Sequence, residues 1–419
     1  MEDMIFRARA LVWGKGLVFL ILFTGAAYTV RLGAVQLKLP RFIAGKIRCR
    51  RKDAGSVQRR TVCIALGAAM GTGNITGVAA ALAAGGPGAI FWMWCSAFLG
   101  MAVVYAENTL SAVYSSSGVR GPMAYISRGL GSRKLAVLFA ATCVLASLGM
   151  GGMVQVNSAA AAMREAAGVP EGIAAVTAFA AIFTVVSGGS QRIGSAAQVL
   201  LPAAAVIYAG ACIGTITVYA ERLPAALSSV FSAAFGFRQA AGGISGYAVS
   251  MAVTTGIQRG IFSNEAGLGS SPLLHSASDG IEPYEQRMWS MAEVFADTMI
   301  CCTLTALALL CAAPDLSVET ALGTIFGSAA GKITAGLLVV FAFCTVIGWY
   351  FCGEEALRYI FRGRSVRFFS IVFSVTASLG AITEADAVWA LSDVFNGLMT
   401  FPNLAALLIL IKSVNRYKD

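Results

Sequence analysis

Two short stretches place polar chemistry inside apolar sequence. "GTGN", Gly71 to Asn74, interrupts an apolar run from Ala65 to Gly85. "SNEAG", Ser263 to Gly267, lies within "TTGIQRGIFSNEAGLGSS", Thr254 to Ser271, a segment with four glycines. Glycine costs about 1 kcal/mol in a helix interior, and a carboxamide away from water needs a hydrogen-bond partner. Both stretches therefore read as helix breaks. A break frees backbone N–H and C=O groups, which apolar surroundings tolerate only where something else satisfies them. A small zwitterion and a cation could do so. Amides at the start of the outer half-helix would face a carboxylate, aided by the positive dipole end. Carbonyls at the end of the inner half-helix would face a cation.

Composition supplies the surroundings. Of 419 residues, 57% are hydrophobic and 12% charged, about half the charged share of a soluble domain. Mean hydropathy is +0.74. Such a chain has too little polar surface for water and reads as a polytopic membrane protein. Ten cysteines lie mostly in apolar runs without paired spacing, and with one histidine no Cys/His metal cluster forms. The same histidine count excludes an HExxH metalloprotease. "GSAAGKI", Gly327 to Ile333, lacks the spacing and the Ser/Thr of a phosphate-binding loop. "GTGNITG" has no strand–helix unit around it, so it is no dinucleotide fingerprint. No enzyme reading remains, and no nucleic-acid partner is needed to explain the basic run "KIRCRRKDAGSVQRR" if it is a loop beside a membrane.

Hydropathy gives about eleven spans, near 11–35, 62–84, 87–113, 135–162, 171–187, 194–220, 243–275, 287–312, 331–358, 366–383 and 386–411. Alternate connections, beginning with Arg31 to Arg60, and the C-terminus carry 24 of the 31 Lys and Arg. The positive-inside rule then predicts an external N-terminus and a cytoplasmic C-terminus. With the first span set aside, spans two to six and seven to eleven form halves of opposite topology. The expected fold is all-α: an extra helix over 11–35, a first repeat over 62–220 and an inverted second repeat over 243–411, in one transmembrane domain. Each half opens with a broken helix, and broken helices at matching places point to a midplane binding site.

Other polar residues fall inside spans. Glu107, Asp297 and Asp393 are candidate ion-site or relay groups. A structural role near a cytoplasmic end, or pairing with an arginine, suits Glu107 and Asp393 better. Gln155 and Asn157 should face the core and could line a pocket. His275 reads as a hydrogen-bonded residue near the inner end of span seven. "GMGG", Gly149 to Gly152, reads as close helix packing.

Several long segments, in order, carry a family resemblance: "GTGNITGVAAALAAGGPGAIFWMW", "GPMAYI", "GGMVQVNSAA", "GIQRGIFSNEAGLGSSPLLHSAS", "EVFADTMICCTLTAL", "FAFCTVIGWYFCGEEALRYIF" and "VWALSDVFNGLMTFPNLAALL". From Gly14 to Ile411 the chain resembles the alanine or glycine:cation symporters, the sodium/alanine symporter family. The resemblance implies eleven spans in a cell membrane, a leucine-transporter-like inverted-repeat core, and sodium-coupled uptake of alanine or glycine. It implies Na+ as coupling ion and no covalent cofactor. In related sodium:neurotransmitter-type transporters the first core helix reads Gly-x-Gly-Asn at its break. Matched to that, Thr72 and Gly73 offer amides to the substrate carboxylate, and Asn74 binds substrate or cation, or caps the outer half-helix. The carbonyls of Gly67 and Met70 face a sodium site shared with Phe341 (by its carbonyl), Cys344 and Thr345. Gly260, Phe262, Ser263 and Asn264 are the candidates for the substrate amine and methyl. This chain has Cys344 where the family pattern has a hydroxyl, Ala69 where Ser or Thr precedes the break, and "GWYFCGE" where the pattern is "GWSYYGE". Two alternatives stand beside the sodium symporter: proton coupling through Asp297, and a passive amino-acid channel.

Overall fold

The computed structural model describes residues 2–48, 55–116, 118–236, 245–276, 282–364 and 366–414. The described residues are predominantly helical, and among them the sole β pairing is one bridge between Ser116 and Val119. Among the described residues six helices are long and apolar enough to cross a membrane: Arg7–Arg31, Gly88–Tyr114, Arg133–Ala167, Gly189–Val218, Pro283–Ala312 and Val318–Ile360. Shorter apolar helices run over Thr76–Gly85, Glu171–Val186 and Phe368–Ile382.

Both glycine-rich stretches break their helices. The first helix ends at Ala69, passes through a tight turn at Thr72–Asn74, and resumes over Thr76–Gly85. The second runs Ser245–Asn264, and a short helix, Ser271–His275, follows the gap. In that gap Glu265, Gly267 and Gly269 adopt φ of 56°, 89° and 83°, a region open to glycine and costly for a glutamate. The halves of the two broken helices pack on each other, and helix Gly88–Tyr114 lies along the second.

Small residues set the distances. A Cβ on Gly256 would stand 2.3 Å from the Ala89 carbonyl, and one on Gly151 would stand 2.2 Å from the Trp349 Cβ. "GMGG" is thus a packing device, pressed against Trp349 and Ala377. It lies in a π-helical turn at Ser147–Met153, which sets the angular position of Gln155 one turn on.

The connection after the first span holds more order than hydropathy indicated. Leu39–Arg48 is helical, with Leu39, Phe42 and Ile43 spaced to share a face. Phe42 meets Trp289 edge-on at 5.5 Å, and Lys46 pairs with Glu285. Residues 49–54 of the basic run lie outside the described residues. Helices Leu223–Phe235 and Val318–Phe326 were also not expected as separate elements. Arg259 lies inside helix Ser245–Asn264 and not in a connection.

Candidate functional site at two helix breaks

At the first break the freed backbone groups find side chains from distant helices. The Thr72 N–H and hydroxyl both donate to Gln155 Oε1, at 3.1 and 3.0 Å. The Gly67 carbonyl accepts from the Thr345 hydroxyl at 2.9 Å. The Asn74 carbonyl accepts from Thr305 at 2.8 Å, and Thr76 returns a bond to the Thr72 carbonyl. Such partners are what a helix break out of water requires. A side chain at Gly71 would displace these partners: a Cβ there would lie 2.5 Å from Thr345 Oγ1 and 2.8 Å from Gln155 Oε1.

One carboxylate joins the two breaks. Asp297, fully buried, accepts from Asn74 Nδ2 at 2.6 Å on Oδ1. Its Oδ2 accepts from Ser263 at 2.7 Å and from Thr298 at 2.8 Å. Cys302 Sγ lies 3.3 Å from Ser263 Oγ and 3.5 Å from Asn74 Nδ2. Asp297 thus links the two breaks through Asn74 on one side and Ser263 on the other.

The second break is held from the other side. Glu265 splits its carboxylate between Ser270 Oγ and Trp349 Nε1, each at 2.6 Å. Trp349 lies one turn beyond Thr345 on the same helix, so both breaks are tied to that helix. Asn403 spans the Gly267 carbonyl (2.9 Å) and Glu107 Oε1 (2.6 Å). Glu107 is therefore bound to an amide, where pairing with an arginine had been one expectation. Asp393 does meet an arginine, Arg9, at 2.8 Å, and also accepts from Gln258 at 2.9 Å.

Aromatic rings cover the first break. Phe262 packs over Gly73, where a Cβ would be 3.3 Å from the ring. Its ring stacks on Trp389 with centroids 4.9 Å apart, and the Arg259 guanidinium lies 4.6 Å over Trp389.

The sequence candidates fall into two neighbouring groups. Thr72, Gly73, Asn74, Phe262 and Ser263 surround the contact between the breaks. Asn264 caps the turn, accepting from the Ala266 N–H at 3.1 Å, while its Nδ2 has no partner among the described residues. Gly260 stands apart, with its open side against Ser96 and Met93. In the second group Gly67 and Thr345 touch directly, and a Cβ on Gly67 would sit 3.3 Å from that of Cys344. Met70, Phe341 and Cys344 share one buried apolar cluster. Gln155 reaches the first break, whereas Asn157 binds the carbonyls of Gly380 and Thr383. His275 pairs with Glu293 at 2.9 Å. Sequence reading singled out none of Thr298, Cys302, Thr305, Trp389 or Arg259 as site residues. The first three lie with Asp297 on a single helix, as a polar stripe in "DTMICCTLT", which was the available signal.

A family model described as the sodium:alanine symporter family matches residues 1–419. The chain belongs to that family. Among relatives, an "uncharacterized transporter" of Haemophilus influenzae is 38% identical over 99% of this chain and 94% of its own length. The "sodium/alanine symporter AgcS" of Methanococcus maripaludis is 36% identical over 95% and 92%. The "probable sodium/glutamine symporter GlnT" of Bacillus subtilis is 34% identical over 99% and 89%. As a member of the sodium:alanine symporter family, this chain is an amino-acid transporter of the sodium/alanine symporter type, with apolar helices of spanning length.

Proposed function

We propose that this protein carries alanine or glycine into the cell together with sodium, by alternating access of a site at the two helix breaks. The reading takes the chain as eleven spans, with an external N-terminus, a cytoplasmic C-terminus and two inverted five-helix halves behind an extra first helix. The observation that carries it is the convergence of backbone and side-chain groups at the first break. The Thr72 and Gly73 amides, at the start of the outer half-helix, take the substrate carboxylate. Gln155 now holds the Thr72 amide and yields it when substrate enters. Asn74, Ser263 and Asn264 take the amine. Phe262, stacked on Trp389, closes over the methyl and limits its size.

Sodium is bound between Gly67 and Met70 on one side and Phe341, Cys344 and Thr345 on the other. The bond from Thr345 to the Gly67 carbonyl marks where two of these oxygen ligands meet. Cys344 contributes no hard ligand, since sodium prefers oxygen to a thiol. Coupling therefore survives on Thr345 and carbonyls, at reduced sodium affinity. The test is uptake of radiolabelled alanine by the purified protein in liposomes, with and without an inward sodium gradient. Accumulation above equilibrium only with the gradient supports symport, and equilibration without accumulation indicates a channel.

A further inference from the structure

Away from the two breaks, three helices enclose a groove of about 230 Å³. It is lined by Val156 and Met163 of helix Arg133–Ala167, Ala178 and Ile182 of helix Glu171–Val186, and Ala342 and Val346 of helix Ala330–Ile360. Gln155 precedes Val156, and Thr345 precedes Val346. The same two helices therefore present one face to the first break, through those side chains, and another to the groove.

The lining selects hydrocarbon. Thr177 supplies its one side-chain hydroxyl, which donates back to the Ile173 carbonyl at 2.8 Å. Water needs several polar partners to occupy such a space, whereas apolar cavities of about 150 Å³ take up benzene or xenon. Six of the 14 lining residues are alanine, so the groove exists because side chains are short where helices face one another. Helix Glu171–Val186 rests mainly on Phe368–Leu379 and only lightly on Ala330–Ile360. The mouth opens sideways, where Thr177, Ala181 and Val339 are exposed. Ile173 and Val176 on the same helix are exposed as well. In a bilayer this apolar face meets lipid tails, and the groove is continuous with it.

We infer that the groove holds one acyl chain of a membrane phospholipid, which braces the helices carrying Gln155 and Thr345. The inference rests on the membrane-spanning reading of these helices and goes beyond the transport site. An acyl chain is slender enough to enter between two helices from the side. Inside, it restores the dispersion contacts that a gap forfeits. Close-packed interiors transmit such support, so a chain behind Val156 and Val346 steadies the positions of Gln155 and Thr345 at the first break.

Photolabelling in liposomes tests this, with a phospholipid that carries a diazirine in one acyl chain and mass spectrometry to locate the label. In wild type the label should concentrate on residues 156–163, 174–182 and 339–346, which contain the lining positions named above. Ala178→Phe fills the groove with a ring. Labelling there should be lost, while the sodium dependence of alanine uptake stays as in wild type, because the ring replaces the chain. Ala178→Asn places an amide where hydrocarbon would lie. It should also lose the label, and it should raise the sodium concentration for half-maximal uptake several-fold. Label spread evenly over the exposed faces of all apolar helices, or unchanged by Ala178→Phe, overturns the site. Displacement of the label by free fatty acid but not by unlabelled phospholipid overturns the assignment to phospholipid. Cross-links between two chains at these residues, in place of lipid adducts, overturn it in favour of a second copy. Loss of label in Ala178→Asn with an unchanged sodium requirement overturns the bracing role. The wild-type label map needs no variant to fold and no transport to occur, so it stands or falls separately from the symport reading.

Discussion

The hydroxyl of Thr345 donates to the carbonyl of Gly67 at 2.9 Å, joining residues 278 positions apart. Gly67 lies in the last turn before the first break, and Thr345 is in the middle of the helix Ala330–Ile360. A cation bridging these two oxygens would pull the inner half-helix onto that helix. Thr345→Ala should raise the sodium concentration for half-maximal alanine uptake at least tenfold, or end transport. This follows from losing a ligand worth about 1.5–3 kcal/mol. Cys344→Thr restores a hydroxyl next to it and should lower the same concentration several-fold. Sodium titrations of initial uptake rates decide both, and a silent Cys344→Thr would contradict the ligand set.

An added methyl at Gly71 would displace the Thr345 hydroxyl and the Gln155 carboxamide from the first break. Gly71→Ala should abolish uptake while the protein still inserts. Gly77→Ala, with nothing within 4 Å of the new methyl, should leave uptake unchanged and favour the helix slightly. Equal uptake by the two variants would show that the first break carries no function.

Asn74 and Asn264 occupy the two breaks, and each has one buried amide atom without a partner among the described residues. Replacing either by Leu should cut uptake ten- to hundred-fold, the effect of losing one hydrogen bond to a charged group. The control is surface expression equal to wild type. Near-normal uptake by both variants would make the breaks packing features.

Size selection should follow from Phe262 closing over Gly73. One surplus methylene costs about 1–3 kcal/mol in a tight pocket, so serine should compete weakly with alanine and leucine not at all. Competition by leucine as strong as by unlabelled alanine would contradict the assignment of Phe262.

The orientation can be read directly. In a Cys-depleted variant, an impermeant thiol reagent added outside should label a cysteine at position 3 and not one at position 55. The reverse pattern would invert the membrane orientation.

The breaks themselves were legible because glycine and asparagine are costly in an apolar helix, whatever the tertiary structure. Gly67, Met70, Phe341, Cys344 and Thr345 were legible only through resemblance, since no local pattern links residues 67 and 345. The contact of Asn74 with Asp297 spans 223 positions, and it is specified by how helix Pro283–Ala312 packs on the first break. Glu107 illustrates the limit: a buried acid invites an arginine, but the helix crossing supplied Asn403. The helix Leu39–Arg48 was obscured by its net positive charge, which dominated a reading based on mean hydropathy.

The most direct measurement is concentrative alanine uptake by the purified protein in sealed liposomes, with an inward sodium gradient and equal pH on both sides. The account predicts accumulation above the external concentration, collapsing when the sodium gradient is abolished and lost in Thr345→Ala. Uptake that never exceeds equilibrium, or accumulation that is indifferent to sodium, would contradict it.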